Sequence, residues 1–318
     1  MNLAESPLAV APLSASTLPE RAVVSLPRAN FLSDFVQLLK PRLTVMVLFT
    51  VGIGYLAGAA QTLELTTLLN VLFGTLLVAC GASALNQLME KDTDGRMRRT
   101  RNRPLPAGRL ADSTVLRIGV ALSCAGLVYL GLLVDPVVAL VAAVTLGSYV
   151  FAYTPLKRYT SFNTLVGAIP GALPPVIGYV AATGRLDMGA VALFLILFCW
   201  QFPHFWAIAW LYRQDYARAG LQMLSVQDSE GGRLTGRLMV QSCLVLLVVS
   251  LIPATLGMAG PRYCLTALVL GLVFMLASVR FLLVPDQGRA RQVLWASLAY
   301  LPVLLTVLLL DGPYLVLA

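Results

Sequence analysis

Nine runs of mostly apolar residues, at about 43–60, 66–89, 113–133, 136–154, 163–182, 187–211, 235–256, 262–284 and 291–311, decide what this chain can fold into. A helix needs roughly 20 such residues to cross the hydrocarbon of a bilayer, and there it satisfies its own backbone hydrogen bonds. The expectation is an all-α, polytopic membrane bundle of nine transmembrane helices. Composition agrees, with 58% hydrophobic and 12% charged residues, where a soluble domain carries about 25% charge. The tightest connection separates runs three and four, with only Val134 and Asp135 between them. Five scattered cysteines (Cys80, Cys124, Cys199, Cys243 and Cys264) have no paired spacing and read as small core residues.

The net charge of +8 belongs to topology rather than to a nucleic-acid partner. With the N-terminus in the cytoplasm, every Lys and Arg except Arg185 and Arg262 falls on the inner side of the nine spans. The two long connections, after spans two and six, fall on that side as well. Long loops on a rigid scaffold are where sites are assembled. Residues 1–29, rich in Ala, Ser, Pro and Leu, read as a disordered N-terminal tail, and 30–318 as one membrane domain. The tail lacks the apolar core of a secretory signal, and only Arg21 and Arg28 favour a mitochondrial presequence. Phe31 to Leu39 has apolar residues at helical spacing and leads through Lys40-Pro41-Arg42 into the first span.

Asn86 to Arg109, NQLMEKDTDGRMRRTRNRPLPAGR, is the stretch around which chemistry gathers. Asn86, Glu90 and Asp94 are four residues apart. On a helix each such step turns the side chain by about 40°, so the three share one stripe. Amide and carboxylate oxygens suit a hard divalent cation such as Mg²⁺. The guanidinium groups that follow, Arg96, Arg98, Arg99, Arg101 and Arg103, match phosphate oxygens. A positive-inside loop accounts for the arginines. It does not account for N-x-x-x-E-x-x-x-D.

A second constellation, WQFPHFWAIAWLYRQDYARAG from Trp200 to Gly220, starts inside span six. Gln201 and His204, the chain's single histidine, are polar at membrane depth, where such groups face a cavity or a partner. Pro203 removes a helical donor and predicts a kink. Asp215 follows His204 by three helical turns, placing it to complete the metal set from across a cavity. Of the aromatic residues here, some serve lipid packing; others, Tyr216 among them, are candidates for lining a pocket or stabilising a carbocation. The third constellation is YTPLKRYTSFN, Tyr153 to Asn163, which brings Lys157 and Arg158 to the same surface. Span five then reads GAIPGALPPVIGY, a kinked and closely packed helix. Spans seven to nine have no acid in their interiors and read as scaffold.

These motifs resemble the intramembrane prenyltransferases of the UbiA superfamily, and within it the branch that farnesylates protohaem IX. The resemblance extends from about Phe31 to the end. It is carried by Met97, Arg99, Thr100, Arg103, Pro104 and Leu105, by YTPLKR with Asn163, and by WQFPHF…DYARAG…ML. It implies a bundle around a central cavity, with Mg²⁺-dependent transfer of a farnesyl group from farnesyl diphosphate to the 2-vinyl group of haem B, giving haem O for terminal oxidases. Asn86, Glu90, Asp94 and Asp215 would hold Mg²⁺ and the diphosphate. Arg99, Arg103, Lys157 and Arg158, with Tyr153 and Tyr216, would bind substrate, and Gln201 and His204 would face the haem. The implied setting is the inner (cytoplasmic) membrane of a cell, with a haem A synthase or oxidase assembly factors as neighbours. The superfamily pattern often has Asp at the position of Glu90, and paired acids where this chain has only Asp215. Prenyl transfer to a quinone-type aromatic acceptor is the alternative enzyme. A transporter is the alternative class, although transporters place charges at the midplane of repeated halves, whereas these acids gather at one surface.

Overall fold

The structure is a computed structural model and describes residues 31–59 and 63–312. The expected tail, 1–29, lies outside the described residues. Nine helices are long and apolar enough to cross a membrane among those residues: Pro41–Gly58, Leu65–Met89, Asp112–Leu133, Pro136–Leu156, Asn163–Thr183, Met188–Leu211, Arg233–Thr255, Pro261–Leu283 and Gln287–Leu310. They are called spans 1 to 9 below. No strand accompanies them among the described residues.

Capping sets where several spans begin. Asp135 Oδ1 accepts from Val137 N at 2.6 Å, and Pro136 occupies the first turn, where its missing N–H costs nothing. That is how two residues suffice to reverse the chain between spans 3 and 4. Asp187 accepts from Gly189 N at 2.9 Å to start span 6. Asp286 accepts from Arg289 N at 2.8 Å, so span 9 starts at Gln287, ahead of its apolar run. Hydropathy marks only the part of a helix that sits in hydrocarbon; the cap adds a polar first turn.

Spans 5 and 6 are the most enclosed, 61% and 56% buried, against 28% for spans 3, 4, 7 and 8, which lie at the outside of the bundle. Span 5 is interrupted at Leu173, where Pro174 and Pro175 each lack an N–H. Span 6 runs through Pro203 as one helix. Spans 1 and 5 meet backbone to backbone: a Cβ on Gly54 would lie 1.9 Å from Pro175 O, and one on Gly178 would lie 1.9 Å from Val51 O. Without a hydrophobic drive between helices in lipid, close approach through small residues holds such pairs together.

At one end of the bundle the short helices collect: Phe31–Leu39, Lys91–Arg96, Arg213–Ala219 and Leu224–Gln227. Leu38 is fully buried with Ala84, Leu105, Leu110 and Val115. Arg109 Nε donates to both Asp34 carboxylate oxygens, at 2.9 and 3.1 Å. The first short helix is thereby fastened to the connection after span 2.

Candidate active site

A cavity of about 510 Å³ opens between spans 1, 2, 4, 5, 6 and 9. Its walls are mostly apolar, and its charged residues are Lys40, Glu90, Asp94, Arg99, Arg103 and Lys157. All of these come from the end of the bundle that carries the short helices. Four cations and two anions leave that end net positive, a setting for an anionic head group with a greasy tail.

Asn86, Glu90 and Asp94 all line this cavity, as their spacing predicts. The helix does not run straight through them. It ends at Met89, Glu90 adopts φ −94 and ψ 4, and Lys91–Arg96 begins a new turn. The i→i+4 bonds from Glu90 N to Asn86 O and from Asp94 N to Glu90 O persist at 3.0 and 2.8 Å, which keeps the stripe in register.

Each residue of the stripe takes a side-chain cation. Lys40 Nζ donates to Asn86 Oδ1 at 2.7 Å, Lys157 Nζ to Glu90 Oε1 at 2.7 Å, and Arg103 Nη1 to Asp94 Oδ2 at 2.6 Å. Asn86 is oriented by its own Nδ2, which donates to Thr154 Oγ1 at 3.1 Å. Burial works against the charge on Glu90, yet Lys157 and then Lys40 hold its carboxyl below the ordinary range. Burial lifts the carboxyl of Asp94 in spite of Arg103. Burial, then Arg103, pulls the Lys40 ammonium down to about 8. These oxygens therefore sit where positive charge is concentrated on them. One amide and two carboxylates form a hard donor set that fits Mg²⁺, which is commonly held by one or two carboxylates together with substrate phosphates. Among the described residues no three His, Cys, Asp or Glu side chains converge on such a site.

Asp215 is not among the residues that line this cavity. It lies in a separate depression of about 170 Å³ with Arg98, Tyr212, Arg213 and Arg218, and pairs with Arg218 at 3.2 Å. The expectation assumed one helix from His204 onward. Span 6 instead ends at Leu211 and Arg213–Ala219 follows a break at Tyr212, across which the bonds from Tyr212 N to Ile208 O and from Tyr216 N to Tyr212 O persist at 3.0 and 3.1 Å. Tyr216 is the residue that this short helix turns into the cavity. Arg158 also lies outside: its Nη2 donates to the Met89 carbonyl at 3.0 Å, where it caps span 2. Adjacent residues of one turn diverge, so only Lys157 of the pair enters.

Arg99 lines the cavity with its guanidinium 4.5 Å above the Tyr212 ring. Lys157 Nζ lies 4.2 Å from the Tyr153 ring centre. Tyr153 ends a stretch of π-helix, Ser148–Tyr153, that widens span 4 beside the cavity, and Tyr149 lines the wall with it. Such bulges recur at functional sites.

Deeper in the cavity, Gln201 Nε2 donates to Ala168 O and Leu197 O, both at 3.1 Å, and braces span 6 against span 5. A Cβ on Gly171 would meet Gln201 Oε1 at 2.0 Å, so this glycine makes the room. His204 also lines the cavity, stacked on Trp200 at 4.7 Å. Its Nδ1 lies 2.7 Å from Ser297 Oγ, and that hydroxyl donates to Leu294 O at 2.6 Å. With its one proton committed there, Ser297 accepts from Nδ1–H, which leaves the lone pair of His204 on Nε2. Trp200 Nε1 donates to Ser297 O at 2.8 Å and closes the set. Span 9, expected to be scaffold, therefore orients a cavity residue and adds Leu298 and Leu301 to the wall.

The connections tie together around the charged end. Asn163, fully buried, donates through Nδ2 to Gln222 O at 2.9 Å and Thr160 O at 2.6 Å, and Gln222 N donates to Lys157 O at 2.9 Å. Met97 packs with Ala209, Ala219, Leu221 and Met223.

Spacing alone did not reveal Lys40, Tyr149 or Ser297. Lys40 passed as one more positive-inside charge. Tyr149 precedes Tyr153 by four residues, a shared-face signal. Ser297 had no signal in the sequence.

Nine helices long and apolar enough to cross a membrane among the described residues, enclosing a cavity that is charged at one end and apolar along its walls, define the class of multi-pass membrane proteins with an internal cavity. The chain belongs to the UbiA prenyltransferase family, which it matches over residues 47–313. It is 49% identical over 289 residues to a protoheme IX farnesyltransferase of Solibacter usitatus, covering 88% of this chain and 99% of that one. A protein of the same name from Koribacter versatilis is 43% identical, with coverage of 89% and 94%. Among solved structures, a digeranylgeranylglyceryl phosphate synthase shares the fold at a TM-score of 0.74 and 18% identity, covering 89% of this chain and 98% of that one. A UbiA homolog from Archaeoglobus fulgidus, bound to GPP and Mg²⁺, has a TM-score of 0.61 at 14% identity, with coverage of 86% and 99%.

Proposed function

We propose that the chain transfers the farnesyl group of farnesyl diphosphate to the 2-vinyl group of haem B, forming haem O. The observation that carries this reading is the division of one cavity into a cationic end and an apolar body with His204 facing into it, in a chain whose curated relatives are named for this reaction. The diphosphate sits at the charged end among Arg99, Arg103 and Lys157, and the isoprenoid tail lies along the apolar wall. Asn86, Glu90 and Asp94 would hold Mg²⁺, which, when bound, offsets charge on the departing diphosphate.

The C–O bond of the allylic diphosphate breaks as these cations take up its charge. The terminal carbon of the vinyl group attacks the farnesyl carbon, and a C–C bond forms. Water then adds to the other vinyl carbon and gives up a proton, which yields the hydroxyethylfarnesyl side chain. Tyr149, Tyr153 and Tyr216 bring ring faces to the end where the cation forms. Gln201 and His204 meet the macrocycle, with the Nε2 lone pair of His204 directed by Ser297. The charged end faces the cytoplasm, in keeping with the distribution of Lys and Arg. The membrane is the inner (cytoplasmic) one, where a haem A synthase or oxidase assembly factors would receive the product.

Mass spectrometry of haems from cells expressing the chain tests this reading. The native chain should yield haem O, and Asp94→Ala should reduce it by about 100-fold or more while the protein remains inserted. Near-normal haem O from that variant would remove the metal assignment. Labelled farnesyl diphosphate supplied with haem B or with a quinone-type acceptor separates the two prenyl-transfer readings.

A further inference from the structure

Lys40 is the single non-glycine residue with positive φ among the described residues, at φ 48 and ψ 61. A side chain in the left-handed region is strained, and the residue before a proline is further restricted. Strain of this kind persists only where the surroundings impose it. Here they do so from both sides. Upstream, Leu38 is sealed in its apolar cluster, Gln87 Nε2 donates to Leu38 O at 2.6 Å, and Arg109 holds Asp34. Downstream, Thr44 Oγ1 donates to Leu39 O at 2.9 Å, and Pro41 starts span 1. The effect of this clamp is to send the Lys40 side chain into the cavity, with its ammonium on Asn86 Oδ1 at 2.7 Å.

We infer that Lys40, the residue just before the first span, is a diphosphate-binding residue. This inference rests on the reading of the cavity as a diphosphate site. Asn86 is a neutral amide, so the one hydrogen bond this buried ammonium makes among the described residues is to a group without charge, and Glu90 and Asp94 act on it only from beyond hydrogen-bond reach. Glu90 is already engaged by Lys157, and Asp94 by Arg103. A metal ion held by Asn86 would compete with Lys40 for the amide oxygen, and a diphosphate bound beside it would be an anion within reach of the flexible four-carbon stem of Lys40. Arg99, Arg103 and Lys157 reach the head group from the connections after spans 2 and 4. Lys40 reaches it from a different element, the residue that leads into span 1.

The test uses the full chain in nanodiscs and farnesyl thiolodiphosphate, a non-ionising analogue, measured by calorimetry with and without Mg²⁺. Haem B binding, followed by its Soret band, is the control. Lys40→Met should weaken analogue binding by tenfold or more with haem binding unchanged. Lys40→Gly accepts the left-handed backbone without strain, so it should be at least as thermostable as the native chain and bind the analogue as weakly as Lys40→Met. Lys40→Cys treated with 2-bromoethylamine, which rebuilds an ammonium at nearly the same reach, should recover most of the affinity. Native-like analogue binding by Lys40→Gly or Lys40→Met would overturn the inference and leave the cavity's function intact. A native chain that binds haem but no diphosphate analogue would overturn both.

Discussion

At Ser297 one hydroxyl decides which nitrogen of His204 faces the cavity. Its proton goes to Leu294 O, its oxygen receives Nδ1–H, and Nε2 is left to meet whatever occupies the cavity. Groups that orient a ligating histidine commonly alter metal affinity by about tenfold or more when removed. On the proposal that His204 Nε2 contacts the haem iron, Ser297→Ala should weaken haem B binding by about tenfold and shift the Soret band, with KM for farnesyl diphosphate unchanged. Loss of both substrates together would indicate instead that the hydroxyl serves folding. This dependence could not be read from the sequence, because Ser297 and His204 are 93 residues apart and a lone serine in an apolar helix carries no pattern. The stripe Asn86, Glu90 and Asp94 was legible for the opposite reason. It is local, and four-residue spacing survives even the break at Glu90 because the backbone bonds across it remain. The same kind of argument applied across Tyr212 did not select the cavity residue: the short helix brings Tyr216 rather than Asp215 to the wall.

At the scale of the element, apolar length located all nine spans, and caps such as Asp286 moved their ends by a few residues. Which helices touch was not legible, since lipid-facing and core-facing residues in a membrane bundle are equally apolar. Gly54 and Gly178 mark one such contact. Gly54→Leu places a side chain against the Pro175 carbonyl and should cost at least about 1–3 kcal/mol, the usual penalty of overpacking. Gly52, two residues away, has open space around its Cβ position. Gly52→Leu should leave the thermal transition in detergent within a degree or two of native, whereas Gly54→Leu lowers it by several degrees. Equal transitions would mean that spans 1 and 5 do not pack as closely as described.

For the whole molecule, the reaction demands that a farnesyl cation form close to the aqueous surface without meeting water first. The bundle alone cannot guarantee this, since the charged end of the cavity lies where the connections begin. The connections around that end are joined by backbone and amide bonds, with Asn163 at their centre: its amide holds the chain at Gln222 against the turn that carries Lys157. Asn163 is fully buried and does not line the cavity, so replacing it changes the cover without altering any group that meets substrate. Asn163→Leu is close in size and removes both donated bonds. The expected outcome is a shift in partition rather than a simple loss of rate. Farnesyl diphosphate should still ionise, but the ratio of farnesol to haem O should rise severalfold, because water reaches the cation before the vinyl carbon does. Labelled farnesyl diphosphate with both products quantified in one assay measures this ratio. A variant that slows while keeping the native ratio would place Asn163 in positioning Lys157, and would show that water is kept out by the walls of the cavity rather than by its cover.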